Sequence, residues 1–260
     1  MRRVSRPGRL ILSTVTIGVL VGIGAAGFHL VADRFGDILF AWVESQTAAS
    51  RLPFVLIVPT VGLGLVGLIL QYYPPGREGG VREVFESLEQ HAGVISFNRI
   101  WNVGLSALVL AFGGSVGPEG PMVQMGALVG SLVGRRCRLT RNSLQTLVRA
   151  GAAAGISAAF RSPAGGVLMA LEVFGARFNR DLTAISAAAG IAFLTRTAVL
   201  GDAYPFSLPV APQAVPISGL LLIAPLMGLF AAPTGHLFIR WLAKFKTFFR
   251  PAGLCRPALL

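Results

Sequence analysis

Two long uncharged stretches constrain the fold more than any other feature of this chain. Between Arg9 and Asp33 lie 23 uncharged residues, and between Arg51 and Arg77 lie 25. At about 1.5 Å per residue, each stretch would cross a hydrocarbon core of about 30 Å as one helix. The composition, 53% hydrophobic and 13% charged, is also unlike that of an ordinary soluble domain. We therefore predict an all-α, polytopic membrane protein whose first span is retained rather than cleaved as a signal peptide.

The net charge of +12 is attributed to lipid headgroups rather than to nucleic acid, which is not expected as a partner. A basic segment, about 1–9, directly precedes the first span, so the positive-inside rule predicts a cytoplasmic N-terminus. A basic stretch at 135–149 and a basic tail at about 240–260 are predicted to be solvated anchors at the membrane edge. The expected location is the bacterial inner membrane, or another plasma membrane.

Beyond the first two spans the pattern changes. The uncharged stretches at 150–160, 162–171 and 182–195 are too short to cross a bilayer and predict half-helices or helices enclosed by protein. Residues 76–90 predict a short amphipathic helix that starts just after Gly79 and Gly80 and has a solvated acidic face. The proline-rich stretch after residue 203 predicts an extended loop that leads into one final span. We expect a single transmembrane domain over residues 1–260.

The segment from Gly113 to Pro121 interrupts two apolar runs and holds one charged residue, Glu119. Pro121 suits the first turn of the helix that follows, because that turn has no use for its missing N–H. Glu119 then lies beside a helix N-terminus, where unpaired N–H groups and the helix dipole favour a carboxylate or a bound anion. An ionisable residue in an apolar break predicts a functional site.

Two motifs give the chain a resemblance to the chloride channel and transporter (CLC) family. The sequence GPEGP from Gly117 to Pro121, continuing as MVQMGALVGS, is similar to the family signature. The segment Gly151 to Glu172 is similar to the family's glycine- and alanine-rich helix, break and following helix. The resemblance runs from the first span to about Lys246 and corresponds to the N-terminal half of the family fold. It implies full-length and broken helices arranged as one of two inverted repeats.

By this resemblance Glu119 is the gate, and backbone amides of two broken helices bind the anion. The implied anion-binding residues are Gly79, Gly80, Val81, Gly117, Glu119 and Gly120. Some positions depart from the family pattern. Gly79 stands where the family usually has a chloride-coordinating serine, and Pro118 replaces a basic residue. We therefore predict weak chloride affinity.

The mechanism implied by the resemblance depends on Val173. Exchangers of the family carry an internal proton-transferring glutamate at this position, and valine cannot relay a proton. The sequence thus favours passive, voltage-gated chloride channel-like conduction, with a chloride/proton antiporter as the alternative. A truncated, non-conducting fragment and a pore built from two antiparallel copies are further alternatives. The resemblance also implies a homodimer in contact with membrane lipid.

No catalytic residue, cofactor or metal is expected, and the chain is not predicted to be an enzyme. Cys137 and Cys255 lie far apart without a second ligand at metal-binding spacing, and the three histidines are isolated. GGSVG from Gly113 to Gly117 fits the pattern of serine hydrolases, which would make Ser115 a nucleophile. This remains a remote alternative, because the surroundings are helical and no histidine–acid pair is evident.

Overall fold

The regular structure is helical throughout the part of the chain that the computed structural model describes, which is residues 7–45, 48–72, 79–114, 117–177, 181–201 and 217–249. The chain divides into two compact units, 1–205 and 206–260. The helices of the first unit are α1 (Pro7–Glu44), α2 (Ala48–Tyr72), α3 (Val81–Gln90), α4 (Ile100–Ala111), α5 (Glu119–Arg136), α6 (Arg141–Phe160), α7 (Pro163–Glu172) and α8 (Leu182–Leu200), with a 3-10 turn at Phe97–Arg99.

The second unit contains α9 (Ile217–Phe249), a helix of 33 residues with Pro225 and Pro233 in its interior. The extended loop predicted to precede the final span lies outside the described residues. Whether α9 forms that final span, and whether residues 1–260 form one domain, stay predictions.

Three helices in the described part of the chain are long and apolar enough to cross a membrane: Gly8–Glu44, Pro53–Tyr72 and Leu182–Leu200. The first two are the predicted spans, although α1 continues past Asp33 for a further eleven residues to Glu44. The third corrects a prediction, since 182–195 was expected to be too short. The uncharged stretch ends before Arg196, which is why it was expected to be too short. The Arg196 side chain is only 3% exposed, however, and α8 continues past it to Leu200.

Helices α5 and α6 pack backbone to backbone through glycines. A Cβ atom on Gly151 would overlap the carbonyl oxygen of Gly126, and one on Gly155 would overlap the carbonyl oxygen of Met122. Small residues allow such close approach of helices in membranes, where helix association depends on packing rather than on the exclusion of water. This crossing brings the C-terminal part of α6 beside the N-terminal part of α5.

Buried Asp181 joins α6 to the start of α8. Its carboxylate accepts hydrogen bonds from the Thr146 hydroxyl at 2.6 Å and from the Arg177 amide at 3.1 Å, and it pairs with Arg149 at 3.4 Å. Arg149 also donates to the carbonyl oxygen of Phe174. The prediction that Arg149 is a solvated anchor is therefore wrong, because its charge is needed beside a buried carboxylate.

The amphipathic helix α3 begins at Val81, directly after Gly80, as predicted. Its acidic face is only partly solvated. The side chain of Glu86 is 45% exposed and pairs with Arg82 of the same helix, whereas Glu83 is 15% exposed and pairs with Arg99 at 2.8 Å. The prediction of a solvated face is thus wrong for Glu83, because this residue lies on the side of α3 that packs against α5.

A candidate anion site at two helix N-termini

The N-termini of α3 and α5 meet at a pair of glycines. Gly80 caps α3 with φ +74° and ψ −149°, a backbone conformation open to few residues other than glycine. A Cβ atom on Gly80 would lie 3.6 Å from the Cα atom of Gly120, the second residue of α5. Two N-termini, each with a partial positive charge, are thereby placed side by side.

The start of α5 leaves backbone amides available for a ligand. Pro118 is the N-cap, and the Met122 N–H donates to its carbonyl oxygen at 3.0 Å. Glu119 and Gly120 come before Met122 in the first turn of α5, where backbone N–H groups have no carbonyl acceptor within the helix. Their N–H groups can therefore bind a ligand. Pro121 lies in the first turn, as predicted, where the helix loses nothing by its missing N–H.

The carboxylate of Glu119 folds back over Gly117. A Cβ atom on Gly117 would overlap Oε2 of Glu119 and approach Oε1, so only glycine leaves room for the acidic group there. The predicted gate thus lies against the glycine-rich segment that leads into α5. Ser115, the nucleophile of the remote hydrolase alternative, lies outside the described residues.

A cavity of about 260 Å³ opens beside the two N-termini. Its lining combines backbone from both helix starts, two carboxamides, a hydroxyl and apolar side chains. The residues are Val66, Leu70, Gly79, Gly80, Asn102, Leu105, Ser106, Val109, Gly120, Pro121 and Gln124. An apolar wall with a few converging polar groups is the usual composition of a small-ligand site.

The structure brings some predicted site residues together at this cavity and leaves others apart from it. Gly79, Gly80 and Gly120 line the cavity, while Gly117, which precedes α5, and Glu119, its first residue, are not among the lining residues. Val81 and Val173 instead pack against the apolar cluster that includes Val84, Leu88 and Phe174. The assignment of all these residues to anion binding or gating stays a prediction.

Sequence reasoning missed the polar side chains that hold the site in place. Gln124 accepts a hydrogen bond from the Gly80 N–H at 3.2 Å and donates to Glu83 at 2.5 Å. The carboxylate of Glu83 is in turn paired with Arg99. The available signal was Gln124 among the apolar residues that follow Pro121 in α5, and likewise Asn102 inside α4.

Gly79 has no side chain in the space that these carboxamides fill. A Cβ atom on Gly79 would lie 2.8 Å from Nδ2 of Asn102 and 2.9 Å from Oε1 of Gln124. Any larger residue at this position would displace one of the two side chains. The departure from serine noted at Gly79 is therefore coupled in space to Asn102 and Gln124. Among the described residues, no group of histidine, cysteine and acidic side chains is placed to hold a metal ion.

Comparison with known proteins gives consistent results. The family model described as voltage gated chloride channel matches residues 54–260. A relative from Ralstonia nicotianae, whose curated name is ClcB-like chloride channel protein, is 40% identical over 130 residues. That match covers 46% of this chain and 30% of the relative, so the chain spans well under half of this relative's length.

Two solved structures are similar over nearly the whole chain. One is a slow cyanobacterial Cl⁻/H⁺ antiporter, with a TM-score of 0.70 and 22% identity, covering 95% of this chain and 59% of that one. The other is a CLC-type fluoride/proton antiporter, with a TM-score of 0.71 and 26% identity, covering 96% of this chain and 60% of that one. Both confirm the predicted all-α fold with broken helices.

Proposed function

The chain belongs to the voltage-gated chloride channel family, and on that premise we propose that it carries chloride passively across a membrane along a path gated by Glu119. The observation that carries the proposal is the close approach of Gly80 and Gly120, which puts two helix N-termini beside one cavity. Two adjacent helix N-termini attract an anion through partial positive charges rather than through a full one. Binding of this kind is weak enough that the ion can also leave, as conduction requires.

Competition between a carboxylate and the anion explains how such a path would be gated. The Glu119 side chain starts at the first residue of α5 and reaches back over Gly117. In this position its negative charge neutralises the helix end and excludes a second anion by repulsion. Displacement of the carboxylate, by protonation or by an incoming chloride, would open the α5 amides to the ion.

The position of Val173 supports passive conduction rather than antiport. This residue follows α7 and packs against apolar side chains, and valine has no group that could carry a proton. Proton/anion antiport is the second candidate, because both similar structures are antiporters, one described as a Cl⁻/H⁺ antiporter and the other as a fluoride/proton antiporter. We also propose that the protein is multi-pass with a cytoplasmic N-terminus and that it forms a homodimer.

Reconstitution into liposomes tests this function. The purified chain would be incorporated into vesicles loaded with potassium chloride, and chloride efflux and internal pH would be recorded together after a voltage is imposed. We expect efflux without proton movement. Glu119→Ala should change the efflux rate at least severalfold, whereas Glu89→Ala, which removes an exposed glutamate from α3, should not.

The alternatives predict other outcomes in the same vesicles. Proton movement that is coupled to chloride, or to fluoride when fluoride is supplied, would establish antiport. Absence of any anion efflux from folded protein would mean that these residues do not conduct on their own. Accessibility labelling of both termini would show whether every molecule inserts in one orientation, as the proposed topology requires.

A further inference from the structure

The carboxamide of Gln124 is hydrogen-bonded to the backbone N–H of Gly80, a donor to which an anion in the cavity would also bind. Its Oε1 accepts the Gly80 N–H at 3.2 Å, and both residues line the cavity. The Gln124 side chain is only 2% exposed, whereas Gly80 is partly exposed, so the hydrogen bond lies at the wall of the cavity. The N–H of the N-cap residue Gly80 has no carbonyl acceptor within α3 and would suit an anion, but here Oε1 of Gln124 accepts it instead.

The orientation of this carboxamide is fixed by its two neighbours. On one side is a donor, the Gly80 N–H, and on the other an acceptor, the Glu83 carboxylate at 2.5 Å from Nε2. Exchanging the oxygen and nitrogen would put donor against donor and acceptor against acceptor. Arg99 holds Glu83 from the other side at 2.8 Å. A chain of contacts from Arg99 through Glu83 therefore aims the Gln124 oxygen at Gly80.

We propose that Gln124 is an uncharged internal competitor for the anion, which must displace its Oε1 from the Gly80 N–H in order to bind. This inference rests on the proposed function and adds a second competing ligand, on α3, to the one that Glu119 supplies on α5. A neutral acceptor holds the amide less strongly than a carboxylate does, so it lowers anion affinity without closing the site.

Anion titration of variants tests the competition directly. Sodium chloride, and separately sodium fluoride, would be titrated calorimetrically into the detergent-purified chain in a sodium isethionate background. Gln124→Met and the shorter Gln124→Asn both withdraw the oxygen from Gly80, and each should bind chloride roughly fivefold more tightly than the unsubstituted chain, as expected for removal of one neutral hydrogen bond. Two variants are used so that a folding defect in one leaves the other informative.

Gln145→Met is the matched control. Gln145 also ties α3 to the bundle, but it donates to the carbonyl oxygen of Leu88 near the far end of that helix, at 2.8 Å. Its loss should leave chloride affinity unchanged. Unchanged or weaker binding in folded Gln124 variants would overturn the competition while leaving the proposed function intact. Absence of chloride and fluoride binding in all variants would overturn both, whereas binding seen only after substitution at Gln124 would support the competition.

Discussion

Gly80 and Gly120 lie side by side, each placed so that a Cβ atom built on it would lie within 4 Å of the other's Cα atom. This arrangement places the N-termini of α3 and α5 together, and each N-terminus carries a partial positive charge. A Cβ atom on either glycine would make an ordinary van der Waals contact, so what requires glycine here is the positive φ of Gly80 rather than a lack of space. Separation of the two N-termini would remove the cavity that both of them line.

Gly80→Ala should lower both stability and transport. The φ of +74° with ψ −149° is strained for any residue with a Cβ atom, at a cost of about 1 to 3 kcal/mol. Relief of this strain would shift the start of α3 away from Gly120. The measurement is thermal unfolding in detergent together with chloride efflux from liposomes.

Gly104→Ala provides the control for this substitution. Gly104 lies within α4, and a Cβ atom there would meet nothing within 4 Å. Alanine in a helix interior should leave stability unchanged or raise it by about 0.5 to 1 kcal/mol. Equal behaviour of the two variants would contradict the special role of Gly80.

Asp181→Ala should be strongly destabilising. Removal of this carboxylate leaves Arg149 without this acidic partner and the Thr146 hydroxyl without this acceptor. Loss of one member of a buried pair costs about 3 to 5 kcal/mol, and the 18% exposure of Arg149 places the expected value at the lower end. Arg177→Ala is the control, because Arg177 contacts Asp181 through its backbone N–H and should retain that bond. Thermal unfolding that affects both variants equally would refute the assignment.

Gly151→Ala should separate α5 from α6. The added methyl group would overlap the carbonyl oxygen of Gly126, and a backbone atom cannot move aside as a flexible side chain can. Overpacking of this kind costs about 1 to 3 kcal/mol. Gly190→Ala on α8, where a Cβ atom has no neighbour within 4 Å, should unfold at the same temperature as the parent chain or slightly above it. The comparison requires only the two melting temperatures in one detergent.

Arg99→Ala should weaken anion binding more than it weakens the fold. It removes the positive charge of Arg99 from beside Glu83, so the negative charge of this carboxylate, next to Gln124, repels an anion in the cavity more strongly. Arg82→Ala breaks the pair with Glu86, whose two side chains are 77% and 45% exposed, and exposed pairs of this kind contribute about 0 to 1 kcal/mol. Calorimetric chloride titration should therefore separate the two arginines. Equal chloride affinities would show that the Glu83–Arg99 pair has no influence on the site.

The sequence by itself determined the class of protein and the position of the glycine–proline break before α5. Uncharged, apolar stretches longer than about 20 residues indicate helices that cross a bilayer, and a glycine–proline break with one glutamate favours a helix start at that point. The start of α3 after Gly80 could be predicted for the same local reason. The resemblance at GPEGP and at Gly151 to Glu172 is borne out by the family match.

Tertiary structure decided everything that depends on distant residues. A charge ends an uncharged stretch in the sequence, but Arg196 is buried among helices, so α8 is long enough to span. Glu83 looks like a solvated residue until α5 supplies Gln124 and the segment before α4 supplies Arg99. The contact of Gly80 with Gly120 spans forty residues of chain, and only the packing of the helices, which local periodicity does not encode, brings the two N-termini and their cavity together.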